Sequence, residues 1–74
     1  MTQRQIHIVQ ARAAYDARWW LGLYPAGWRT PPNENAIANA YTASHAWGQM
    51  GAAPNDMRTF DIYRAAFLKG AGHR

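Results

Sequence analysis

Apolar residues along this chain recur mainly at the three-to-four-residue spacing of an α-helix, and two stretches rich in glycine, proline and asparagine interrupt the pattern. Over residues 6–24, Val9, Ala13, Ala17, Trp20 and Tyr24 share one helical face. Ile6, Ile8, Tyr15, Trp19 and Leu23 widen that face until it calls for cover on both sides, from other helices or from a second subunit. The start is ambiguous, because Gln5-Ile6-His7-Ile8-Val9 alternates and is β-branched enough for residues 3–9 to form a short strand. A lone strand would have to pair between subunits, giving an intertwined homodimer.

Residues 22–32 contain Gly22, Gly27, Pro25, Pro31 and Pro32, which end the first helix and predict a stiff loop. A second helix is expected over about 35–50, capped by Asn33, Asn35 or Thr30, with Ile37, Ala40, Tyr41, Ser44, Trp47 and Met50 on one face. Gly51 suits the end of that helix, and Asn55 with Asp56 suits the start of a third over about 55–69. Its buried stripe reads as Met57, Phe60, Tyr63 and Phe67, and Arg58, Asp61 and Arg64 form a solvated ladder at i, i+3 spacing. Lys69 complements the helix dipole, Gly70 stops the helix, and residues 71–74 are expected to fray. The predicted fold is all-α: one compact three-helix domain over residues 1–74.

Composition supports folding, since 49% of the 74 residues are hydrophobic and 14% aromatic, with four Trp and four Tyr, too apolar for a disordered chain. The absence of cysteine removes disulfides and thiolate metal sites, so stability has to come from packing or from a partner. No apolar run approaches a membrane span, and residues 1–10 are too polar for a signal peptide, so a cytoplasmic protein with no membrane partner is expected.

The net charge of +4 is unevenly spread. Residues 1–29 carry +3, residues 30–57 carry −2 and residues 58–74 carry +3. Arg58, Arg64, Lys69 and Arg74 therefore offer phosphate contacts for a nucleic-acid-binding alternative. Against it, Arg12 and Arg18 lie about 240° apart around the helix axis. The third helix also lacks an Asn, Gln, Ser and Arg face suited to base edges.

No catalytic constellation is visible. His7, His45 and His73 fall in separate segments without metal-ligand spacing. Ser44 and His45 are helix neighbours whose side chains diverge by about 100°. Asp16, Glu34, Asp56 and Asp61 each suit a plain surface or capping role, and no phosphate-cradling glycine loop is present. These observations predict a non-enzyme with no metal and no cofactor.

The most informative stretch runs from Arg18 to Arg29, where four large aromatics and two arginines crowd a helix end and a rigid loop. In one reading Trp20 and Tyr24 join the core and Trp28 folds over it as a lid. In the other, Arg18, Trp19, Tyr24, Trp28 and Arg29 form an exposed partner-binding surface of the Trp, Tyr and Arg type. In small size, lack of cysteine and spare aromatic surface, the chain is similar to the accessory proteins of bacteriophages and mobile elements, among them anti-CRISPR proteins. That resemblance of style, carried by no motif, implies a protein-binding regulator or inhibitor of a host enzyme. A nucleic-acid-binding domain and a small subunit of a larger complex are the alternatives.

Overall fold

A computed structural model describes residues 2–43 and 57–73. Among them the chain forms three helices, α1 (Gln3–Leu23), α2 (Glu34–Ala43) and α3 (Met57–Gly70), and no strand. The expected positions of Ser44, His45, Trp47, Met50, Gly51, Asn55, Asp56 and Arg74 lie outside the described residues.

The ambiguous start resolves as helix. Thr2 Oγ1 accepts from the Gln5 amide at 3.1 Å while the Thr2 amide donates to Gln5 Oε1 at 2.9 Å, a reciprocal capping box that starts α1 at Gln3. The helix ends where Tyr24 precedes Pro25, whose ring disfavours helical backbone in the residue before it. Two successive turns follow, closed by Gly27 N–H to Tyr24 O at 2.8 Å and Arg29 N–H to Ala26 O at 2.9 Å. Of the three residues suited to cap α2, Asn33 takes the role, accepting from the Ala36 amide at 2.7 Å.

The core is built mainly between α1 and α3. Val9, Ala13 and Ala17 form a small-residue row at i+4 spacing on α1. Thr59, Tyr63, Phe67 and Ala71 form the matching buried row along α3 and its end. Such i±4 rows interdigitate, with α1 supplying small side chains and α3 large ones. Ile37 and Tyr41 of α2 close the third side, and each large side chain enclosed here contributes about 1.5–3 kcal/mol. This corrects the stripe expected for α3. Met57 is 70% exposed, Phe60 is half-buried, and Thr59 is fully enclosed, because the row that faces α1 extends back from Tyr63 to Thr59.

Aromatic rings run continuously from this core to the surface. Phe60 and Tyr63 meet Tyr41 edge-on at 5.1 and 5.3 Å, Tyr63 touches Phe67 at 6.0 Å, and Phe67 meets Trp20 at 6.3 Å. The outermost ring of the series, Tyr24, lies 5.5 Å from Trp20.

Two polar links tie the helices together. The fully buried Tyr63 donates its hydroxyl hydrogen to Asp16 Oδ2 at 2.5 Å, and Arg12 Nε stands 3.2 Å from Asp16 Oδ1. That Arg12 N–H is not aligned as a hydrogen bond, so the contact is one of charge. Asp16 is thus the acceptor for a core tyrosine and more than a plain surface charge. Arg64 leaves its expected ladder to grip Glu34 across the α2–α3 contact, with Nη2 at 2.7 Å and Nε at 3.0 and 3.1 Å.

The end of α3 does not fray. His73 N–H bonds to Leu68 O at 2.7 Å and Gly72 N–H to Lys69 O at 3.1 Å, with Gly72 at φ +90°, the pattern of a Schellman cap. The stop is at Gly72 and not at Gly70. It buries Ala71 and turns the His73 ring back so that Nε2 donates to Gly27 O at 2.6 Å. A carbonyl can only accept, so Nε2 carries the hydrogen.

Candidate functional site

Where α1 ends, the fold separates aromatics that serve the core from aromatics that do not. Gly27 is buried against the indole of Trp20, and a Cβ there would overlap that ring. Trp20 is thereby held half-buried between Gly27, Tyr24 and Phe67. The remaining large side chains face outward, with Tyr15 48%, Trp19 63%, Leu23 73%, Tyr24 57% and Trp28 57% exposed. Tyr24 is therefore no core residue and Trp28 does not close over the core as a lid. The turn at Pro25 carries both away from it.

Three of these residues belong to one ridge. Ala11, Tyr15, Trp19 and Leu23 follow one another at i+4 spacing along α1, all exposed. Each of the first three lies two residues beyond a buried counterpart in Val9, Ala13 and Ala17, a rotation of about 200° around the helix. The apolar ridge and the core row thus occupy nearly opposite sides of α1, and no rearrangement of side chains brings the ridge into the core of the same molecule.

The ridge borders two grooves. One, of about 420 Å³, is lined by Tyr15, Arg18, Trp19, Gly22 and Leu23. Arg18 is the charged residue of that lining, and the Tyr15 and Trp19 rings meet at 6.4 Å and 60°. The other, of about 230 Å³, lies between α1 and α2, with Trp19, Trp20 and Leu23 facing Ala36, Ala40 and Ala43, and the paired Arg12 and Asp16 together with Phe67 also in its lining. Leu23 also lines a groove of about 820 Å³ that runs over Tyr24 and the proline loop to Asn33. It therefore joins the two ends of the surface.

Of the five residues singled out in the sequence, Arg18 and Trp19 share the ridge groove, and Tyr24 continues it through Leu23. Trp28 and Arg29 form a separate pair: the Arg29 guanidinium lies 4.7 Å from the Trp28 ring centre, and the Cα and Cβ of Trp28 pack beside Gly72. Neither belongs to the lining of the three grooves described above. Leu23 and Tyr15 belong to the surface although sequence reasoning assigned them only to a widened stripe. The signal that marks them is the offset of two positions from the core row.

Among the described residues of α3, Arg64 and Lys69 engage different neighbours. Arg64 is engaged by Glu34, which raises its pKa, while the hydrogen bond from Arg64 holds the Glu34 carboxyl below the usual glutamate value. Lys69 lines a groove with Asp61 and Gln10 on the opposite flank of α3, and Arg58 is exposed in its first turn. Among the described residues no three His, Asp or Glu side chains gather as a metal would require. No described helix is long and apolar enough to cross a membrane. In comparisons with known proteins, no family, curated protein or solved structure gives a match.

Proposed function

We propose that the protein is a non-enzymatic binding protein, a regulator or inhibitor of the phage or mobile-element accessory kind, that acts by docking on a partner protein. The observation that carries the reading is the Tyr15, Trp19 and Leu23 ridge on the side of α1 away from the core. Single exposed apolar residues are ordinary, but a contiguous row with an indole at its centre, beside a groove, has the makeup of an interface hot spot. Tyr24 extends the surface, and the Trp28 and Arg29 pair offers a second contact on a turn held at both ends. The commitment of Arg12 to Asp16 and of Arg64 to Glu34 weighs against the nucleic-acid alternative, because those charges are already partnered.

The test is partner capture from a lysate of the native host by the full chain and by Trp19→Ala and Trp28→Ala variants. Loss of a specific partner with Trp19→Ala, in a variant whose circular dichroism is unchanged, is the expected result. Capture that survives both substitutions contradicts the proposal, as does a salt-sensitive mobility shift on nucleic acid with no protein captured.

A further inference from the structure

Resting on that reading, we infer that the occupant of the α1 ridge is an acidic amphipathic helix of the partner protein. The ridge is the side of a helix whose backbone groups are already spent internally, so it offers side chains and no free strand edge, which rules out docking by an added strand. From Ala11 to Leu23 it extends about 18 Å, close to three helical turns. A row at i+4 spacing seats between equivalent rows of another helix. The alanine wall of Ala36, Ala40 and Ala43 leaves room beside it for the partner's larger side chains.

Charge selects the sign of that helix. In the groove with Tyr15, Trp19 and Leu23 the charged group is Arg18, and the whole chain carries +4. Nearby carboxylates are occupied, Asp16 by Tyr63 and Arg12 and Glu34 by Arg64. A second copy of this chain would bring a further net charge of +4, whereas glutamates or aspartates flanking an apolar stripe would complement Arg18. Ring geometry separates this occupant from single-stranded nucleic acid. Arg12 lies 5.1 Å from the centre of the Tyr15 ring and Arg29 covers Trp28, so one face of each of these rings is taken, and the most exposed large side chain of the ridge is the aliphatic Leu23.

The experiment uses three labelled synthetic peptides of about five helical turns. The first has leucines at i, i+3, i+4 and i+7 flanked by glutamates. In the second, lysines replace the glutamates, and the third keeps the first peptide's composition in an order that breaks the stripe. Fluorescence anisotropy against the full chain should show the first peptide binding at least about tenfold more tightly than the other two, with affinity falling as salt rises. Trp19→Ala should weaken it about thirtyfold and Leu23→Ser by a smaller factor, and Arg18→Glu should move the preference toward the lysine peptide.

Equal binding of the first and third peptides overturns the inference, as does undiminished binding by folded Trp19→Ala and Leu23→Ser variants. Self-association in sedimentation that Leu23→Asp abolishes assigns the ridge to a second copy instead. Trp19-dependent binding of a single-stranded oligonucleotide assigns it to nucleic acid. A lysate partner captured through Trp19 that the first peptide fails to displace leaves protein binding standing and removes the acidic helix.

Discussion

His73 Nε2 lies 2.6 Å from the carbonyl oxygen of Gly27 and ties the end of α3 to the turn that carries Trp28 and Arg29. The same turn is pinned from beneath, because Gly27 rests on the Trp20 indole. That hydrogen bond, the Trp20 ring and the contact of Trp28 with Gly72 hold the turn, which contributes little to the enclosed core, so its position reports on these contacts.

Replacing His73 with Ala should therefore release the turn without dismantling the core. The expected loss is about 0.5–1.5 kcal/mol, the worth of one part-buried hydrogen bond. Hydrogen exchange should show faster loss of the Gly27 and Arg29 amides, which close the two turns, while α1 amides near Ala13 keep their protection. Equal protection of Gly27 in the variant and the parent would show that the imidazole contact does not hold the turn.

Gly72→Ala should act at the same end through the backbone. Gly72 sits at φ +90°, where a Cβ is strained, and the cap it forms turns His73 toward Gly27. A destabilisation of about 1–2 kcal/mol is expected, in a urea titration where Gly22→Ala, at a helical glycine with open space around it, serves as the comparison. If the two substitutions cost the same, the stop is not at Gly72.

The Tyr63 phenol gives an alkaline signature. Burial, and then the hydrogen bond to Asp16, push its pKa well above the ordinary 10.0. The folded chain therefore holds this proton more tightly than the unfolded chain does. The associated stability is complete below pH 10.0 and is lost as the pH rises above it, where only the unfolded phenol ionises. Tyrosinate absorbance should show Tyr63 resisting ionisation until the chain unfolds, and Tyr63→Phe should lower the amplitude of that late step by one tyrosine and weaken the fold by about 1 kcal/mol. Ionisation of every tyrosine in one step without unfolding would contradict the assignment.

What was legible in the sequence is what local spacing encodes. The three helices and the stiff loop after Leu23 follow from periodicity, while the α2 cap was legible only as three candidates, of which the Ala36 amide takes Asn33. The capping box of Thr2 and Gln5 overrode the strand-like alternation of residues 5–9, because a nucleated helix continues through β-branched positions at small cost. Met57 was misplaced because apolar type, and not position relative to α1, chose the stripe. The links from Asp16 to Tyr63 and from Glu34 to Arg64 span 47 and 30 residues, and no local pattern announces them. For the binding surface, the residues around Trp19 were legible as an excess of aromatics. Their division into a core side and an opposite side needed the helix to be placed against α3.

Whether the Tyr15, Trp19 and Leu23 ridge serves a partner and not the fold is decided by the Trp19→Gln, Leu23→Gln double variant, carried through equilibrium denaturation and partner capture side by side. The double variant should keep a stability within about 0.5 kcal/mol of the parent, as for surface positions, and lose the partner. A loss of several kcal/mol, or a stable variant that still captures its partner, would contradict that role for the ridge.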